Sequence, residues 1–165
     1  MNDEKVKVLI VDDEQALLNS LTRRLGVRDF QVVGVSRGEE ALEVARKNHV
    51  DVAVVDIKMP GMKGQEVLLA LKKAYPWMEV IILTGHGSFD PDAEGIADKI
   101  HSCLGKPCDL STLQAALTDA YRNTVMNRRK IGHREMQSML GAVDDQTPGA
   151  VLQKLKAING KSGVH

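Results

Sequence analysis

The stretch Val52 to Gly64, VAVVDIKMPGMKG, limits what this chain can fold into more than any other. Small and β-branched apolar residues deliver one carboxylate, Asp56, and the run then breaks at Met59-Pro60-Gly61. An apolar run without polar alternation reads as a strand buried on both faces. The proline and glycine place a loop directly behind it. Asp56 therefore stands at the carboxyl end of a central strand, which is where open α/β sheets hold their ligands.

The rest of the chain supplies that sheet. Lys5–Val11 (KVKVLIV) is a strand that runs into Asp12-Asp13-Glu14, and Leu17, Leu18, Leu21 and Leu25 then repeat at helical spacing up to Gly26. Gln31–Val35 is a second strand, and Ala41, Leu42, Val44 and Ala45 form one face of a second helix. Asp51–Asp56 is strand three. A third helix runs from Gln65 to about Tyr75 and stops at Pro76. Val80–Thr84 is strand four, the glycine-rich residues 85–99 predict only a short helix, and Ile100–Leu104 is a poor fifth strand. From Asp109 a strong helix carries Leu110, Leu113, Leu117, Ala120 and Tyr121 in register. Strands alternating with helices make βα units, hence an α/β fold with a parallel sheet and helices on both faces. Right-handed crossovers bring the strand ends Asp12, Asp13, Asp56, Thr84 and Lys106 to one edge.

Composition narrows the function. No apolar run approaches the roughly 18 residues of a membrane span, and the amino-terminal stretch MNDEKVKVLIVDDE does not read as a signal peptide, so the expectation is a cytoplasmic protein with no membrane partner. Cys103 and Cys108 are too few for a structural zinc site and read as reduced thiols. The net charge of zero hides a split: up to Ala120 there are 14 Lys/Arg against 19 Asp/Glu, and beyond it 8 against 3. That predicts two units with different surroundings.

Three carboxylates converging on one crevice repel each other by about 3 kcal/mol per pair at roughly 5 Å and an effective dielectric near 20. Such a site takes up protons or binds a cation, and an all-oxygen, water-accessible set suits Mg²⁺. A carboxylate can act as nucleophile toward a phosphoryl group when a metal and a cation neutralise the transferring oxygens. Lys106 offers the cation, Thr84 a hydroxyl donor and the acidic pair a metal holder. Any one of these residues alone is more often a helix cap or a solvated side chain, and the weight lies in their combination.

With those residues in place, the chain resembles a receiver domain of the two-component response regulators over about Lys5 to Tyr121. The matching motifs are VDDE at 11–14, DIKMPGMKG at 56–64, ILTGHG at 82–87 and GKP at 105–107. The resemblance implies a flavodoxin-like, doubly wound five-stranded sheet of order 2-1-3-4-5, an order for which a receiver protein is itself a standard illustration. It implies Asp56 as the phosphoryl acceptor, Asp13 as a direct Mg²⁺ ligand with Asp12 beside it, and the backbone carbonyl of Lys58 as a further ligand. Thr84 and Lys106 would contact the phosphoryl oxygens. The side chains of Lys58 and His86 occupy positions that tune hydrolysis of the aspartyl phosphate, and the Lys106–Pro107 peptide is expected to be cis.

Two departures concern signal output. Cys103 stands at the switch position where the family usually carries an aromatic ring, and Lys99-Ile100 replace a common small-residue pair. Residues 1–121 are thus expected to form the receiver, and 122–165 a basic, helical C-terminal extension. If its helix ran unbroken from Asp109 to Leu140 it would span about 48 Å, longer than the roughly 35 Å receiver body, and the overhang would need a partner. Val151, Leu152, Leu155 and Ile158 form one more short amphipathic helix. The leading expectation is a non-enzymatic phosphoacceptor that takes phosphate from a histidine kinase or phosphotransfer protein and switches a protein contact or self-dimer through the tail. The alternative is a DNA-binding transcriptional regulator acting through the basic run Arg122, Arg128, Arg129, Lys130 and Arg134, or through a missing output domain. A scaffold that is never phosphorylated is the third reading, disfavoured by the complete acidic and lysine set.

Overall fold

A computed structural model describes residues 5–59, 61–85, 89–141 and 147–160. Strands β1 (Val6–Val11), β2 (Phe30–Val35), β3 (Val52–Asp56), β4 (Glu79–Thr84) and β5 (Ser102–Gly105) form one sheet of order 2-1-3-4-5 with every pairing parallel. All five residues of β3 are buried, as its continuous apolar run requires. Helices α1 (Gln15–Gly26), α2 (Gly38–Lys47) and α3 (Gly64–Ala74) alternate with the strands, and α4 (Leu110–Arg129) follows β5. One apolar cluster joins the sheet to α1 and α4, and another joins it to α2 and α3.

The close approach of α3 to the end of β3 depends on a glycine. A Cβ on Gly64 would lie 2.2 Å from the Asp56 carbonyl oxygen and 2.7 Å from the Ile57 Cα. These are backbone atoms that cannot swing aside. The glycine thus lets the first turn of α3 close behind Asp56, and its own N–H donates to the Ile57 carbonyl at 3.2 Å.

The weak helix expected within residues 85–99 does not form where the chain is described. Instead, turns over 91–95 lead to a single 3-10 turn at Ala97–Lys99. The physical reason is local. Asp90 accepts the Asp92 N–H through its side chain at 3.0 Å, and Gly95 adopts φ +73°, so side chain and backbone compete with helical hydrogen bonding. Ile96 anchors the segment in the core, with Phe89 and Ile100 partly buried beside it. β5 begins two residues later than its sequence suggests, after His101 has donated its N–H to the Val80 carbonyl at 2.7 Å.

The tail also differs from a continuous helix. α4 crosses residue 121 without interruption but ends where Lys130 turns into the left-handed region, φ 56° and ψ 45°. Gly132 then caps a separate α5 (His133–Leu140), and α6 (Pro148–Gly160) follows. The expected overhang is therefore absent. Met136, Leu140, Leu152 and Leu155 are each at most 1% exposed and belong to the same cluster as Leu25, Leu117 and Tyr121. Lys154 Nζ donates to the Leu140 carbonyl at 2.8 Å, tying α6 to the end of α5. The extension folds back and completes the α1/α4 side of the core.

Two residues of the basic run are committed inside this arrangement. Arg122 pairs with Asp119 at 3.2 Å. Arg128 donates to Asp51 Oδ1 at 2.8 Å and to the Val50 carbonyl at 3.2 Å, and its guanidinium lies 4.0 Å from the centre of the Trp77 ring. Asp51, 4% exposed, also receives the Lys7 N–H at 2.8 Å and faces His49 at 2.8 Å. Burial by itself would raise the Asp51 carboxyl, but His49, the Lys7 N–H and Arg128 together hold it below its ordinary range. Thr124 adds a hydrogen bond to the Asp51 carbonyl at 3.0 Å, so the last turns of α4 are fixed to the starts of β3 and β4.

Candidate functional site

β1 and β3 are paired, with Val11 opposite Val55, so the residues that follow them leave the same sheet edge. Asp12 and Asp13 come from the first strand and Asp56 from the third. One carboxylate oxygen of each lies within 4.8 Å of the others, and Asp12 and Asp56 are buried while Asp13 is exposed. β4 is registered so that Asp56 faces Leu83, which sets the buried Thr84 one residue further along the edge. Thr84 in turn faces Gly105 of β5, and the Lys106 N–H donates to the Thr84 carbonyl at 2.8 Å. The Lys106–Pro107 peptide is cis, as expected.

Lys106 reaches into the acidic pocket. Its Nζ is 2.7 Å from Asp12 Oδ2, 3.5 Å from Glu14 Oε1 and 3.6 Å from Asp56 Oδ2. Burial alone would lower the Lys106 ammonium, but its contact with Asp12 and the charges of Asp56 and Glu14 outweigh that and raise it, so it remains a cation at neutral pH. For Asp56 the balance runs the other way. Burial first, and the neighbouring Asp12 charge next, push its carboxyl above the ordinary range, more than Lys106 and the Lys58 N–H pull it down.

This charge excess suits a divalent cation. Asp12 Oδ1 accepts the Glu14 N–H at 2.9 Å, whereas buried Asp12 Oδ2 has only its ion pair with Lys106 and no properly directed hydrogen bond. A buried oxygen whose close partner is the Lys106 ammonium, beside two further carboxylates, is a donor set that fits Mg²⁺, which favours a few carboxylates and keeps water on its remaining positions. Lys58 is exposed and its N–H donates to Asp56 Oδ1 at 3.3 Å, so the turn behind β3 wraps the Asp56 carboxylate.

The structure thus gathers Asp12, Asp13, Asp56, Thr84, Lys106 and the Lys58 backbone at one edge. His86 lies outside the described residues. Cys103 is apart from the pocket: it faces Ile82 across the β4–β5 pairing and is exposed, beside the segment where a full helix is missing. Such burial as its sulfur has raises the thiol, so Cys103 carries no thiolate at neutral pH. Glu14 is the pocket residue that strand-end reasoning passed over. Its signal was its place directly after the acidic pair, one residue before α1 begins. Beside it, Glu14, Leu17, Leu21, Lys106, Pro107 and Leu113 are among the residues lining a cavity of about 350 Å³.

Known proteins are similar to this chain over most of its length. The family model described as the response regulator receiver domain matches residues 8–118. The chain is 37% identical over 121 residues to the transcriptional regulatory protein GlrR of Escherichia coli, covering 73% of this chain and 27% of that protein. It is 33% identical over 119 residues to the two-component response regulator PhoP of Pseudomonas aeruginosa, covering 72% of this chain and 53% of PhoP. Among these relatives it therefore spans between about a quarter and a half of their length. The crystal structure of a response regulator receiver domain protein from Clostridium thermocellum superimposes with a TM-score of 0.66 at 33% identity, over 76% of this chain and 98% of that one. With the sheet order, the acidic pocket and its lysine agreeing with a match across most of the chain, this protein belongs to the response regulator receiver domain family of two-component signalling.

Proposed function

We propose that Asp56 accepts a phosphoryl group from the phosphohistidine of a histidine kinase or phosphotransfer protein. The observation that carries this reading is the position of the Asp56 carboxylate, 3.6 Å from the Lys106 ammonium and within 4.8 Å of the Asp12 and Asp13 oxygens. In the transfer an Asp56 oxygen forms the new O–P bond. The donor's P–N bond breaks, and its electron pair returns to the imidazole, which takes its proton from water. Asp12, Asp13, Asp56 and the Lys58 carbonyl would hold Mg²⁺, which supplies neutralisation of the phosphoryl oxygens when bound. Lys106 adds a fixed positive charge to the same oxygens, and Thr84 offers its hydroxyl at the neighbouring strand end.

The chain is then a switch, not an enzyme with a diffusing product. Phosphorylation shifts the population of conformers, and a protein contact or self-association involving the tail reads that shift. The tail's packing into the receiver core supports this output, because a change on one side of the sheet is transmitted through shared packing. DNA binding through the extension draws less support, since Arg122 and Arg128 are engaged in ion pairs. Acetyl phosphate with Mg²⁺ tests the acceptor: intact mass should show one added phosphoryl group, absent in Asp56→Asn. No adduct on the wild-type chain would restore the scaffold reading. Light scattering with and without the phosphoryl group tests the output, and salt-dependent DNA affinity that rises on phosphorylation would favour the transcriptional reading instead.

A further inference from the structure

Glu14 occupies the N-cap position of α1, yet its side chain caps nothing: no hydrogen bond joins it to the first turn. Its carboxylate is directed instead at Lys106, 3.5 Å from Nζ. Of the three acids around that ammonium, Asp12 and Asp56 are at most 6% exposed at the side chain, whereas Glu14 is 62% exposed. Glu14 also lines the 350 Å³ cavity that opens beside the pocket. A donor entering from that side meets its charge before it meets the buried acids. The ammonium it partly satisfies is the same cation that must transfer its attention to the incoming phosphoryl oxygens.

We infer that Glu14 is a positioning and selectivity residue, which shares the Lys106 ammonium with Asp12 and Asp56 and screens Asp56 against small anionic phosphodonors. The inference rests on the reading of Asp56 as phosphoryl acceptor. An exposed carboxylate at the mouth repels a free dianion such as acetyl phosphate. A protein-borne phosphohistidine differs, because its own surface can bring a compensating positive charge to Glu14. The screen therefore discriminates by donor charge and carriage.

The experiment compares wild type, Glu14→Gln and Glu14→Asp, with Mg²⁺, using acetyl phosphate and the less highly charged phosphoramidate. In each case the Asp56 oxygen attacks phosphorus, the P–O bond of acetyl phosphate or the P–N bond of phosphoramidate breaks, and acetate or ammonia leaves with the bonding pair. At low salt Glu14→Gln should be modified about three- to tenfold faster by acetyl phosphate, with the advantage fading near 1 M salt, where the Debye length is about 3 Å. Phosphoramidate should show a smaller gain, and Glu14→Asp should stay within about twofold of wild type because it keeps the charge. Binding of beryllofluoride, followed by calorimetry without any turnover, should tighten in Glu14→Gln. If wild type is modified but Glu14→Gln shows the same rate, salt dependence and beryllofluoride affinity, this inference falls and the acceptor reading stands. If wild type is not modified at Asp56, both fall. A change in melting temperature alone, equal in both variants, marks a helix-end role and also overturns the inference.

Discussion

Removing the Arg128 guanidinium should destabilise the protein more than the loss of a surface charge would, and in a pH-dependent way. Arg128 joins α4 to a carboxylate that is 4% exposed, through a 2.8 Å bond, while also bonding a backbone carbonyl and stacking on Trp77. Breaking a buried pair by deleting one partner costs about 3–5 kcal/mol. His49 and the Lys7 N–H remain on Asp51, which discounts the cost; we expect about 2–4 kcal/mol for Arg128→Ala at pH 7. For a chain of this size that lowers the melting temperature by roughly 4–16 °C. The sign of the pH effect follows from linkage. In the wild type Asp51 is held below its ordinary pKa of 3.8, so its contribution is present above that value and is lost only as pH falls through the lower folded value. Arg128→Ala removes one of the groups that lower Asp51, so its carboxyl titrates higher than in the wild type and the variant gains relative stability as pH falls from 7 toward 4 and the carboxyl takes up its proton. The gap between the proteins should therefore narrow over that window, with the other carboxylates cancelling in the difference. Urea unfolding at pH 7, 5.5 and 4 measures it. A deficit below about 1 kcal/mol at pH 7 would place the pair with ordinary surface ion pairs, and a gap that stays constant with pH would refute Asp51 as its source.

Further outcomes follow from other parts of the structure. Gly64→Ala forces a Cβ to 2.2 Å from the Asp56 carbonyl, so the start of α3 must move; we expect a loss of about 3 kcal/mol or more in denaturant unfolding, with slower acetyl phosphate labelling. In Asp12→Asn the neighbouring charge that helps raise Asp56 is gone, so the Asp56 carboxyl should titrate lower in metal-free protein by ¹³C NMR, while calorimetry should show weaker Mg²⁺ binding. Leu155→Ala opens a hole at a fully buried tail position and should cost about 2–5 kcal/mol; an undiminished unfolding midpoint would mean that α6 does not share the receiver core. Lys130→Gly relieves a non-glycine residue of left-handed backbone, and after the added entropy of the unfolded glycine chain it should stabilise by about 0.5–1 kcal/mol in the same assay.

The receiver and its pocket were legible because each part leaves a local mark. A continuous apolar run announces β3, a carboxylate ends it, and Lys106-Pro107 follows the weak last strand, so parallel βα units bring the edge together, while the order 2-1-3-4-5 is implied by the family resemblance. What escaped is set by tertiary contacts with no local mark. Arg128 and Asp51 are 77 positions apart, and nothing near either names the other. The end of α4 falls at a lysine, with Gly132 two residues on as its one local sign: left-handed backbone at Lys130 is tolerated because α5 and α6 gain burial by turning back. Glu14 reads as a helix-capping acid by position, and only the reach of Lys106 across the sheet edge shows otherwise. The segment over 89–99 failed as a helix because aspartate and glycine turns compete with it and few apolar residues reward it.

The sharing of one apolar cluster by α1 and α6 also has a bearing on synthesis at the ribosome. Among the described residues, the α2/α3 side of the sheet holds all of its apolar members by Ile100, whereas the α1/α4 side lacks its last one until Ile158 has been made. At roughly 5–20 residues per second, the nascent chain would carry that second side incompletely covered for about 3–12 s. The extension is then a late-arriving lid for its own receiver, and stalled or truncated chains would present α1 leucines to chaperones.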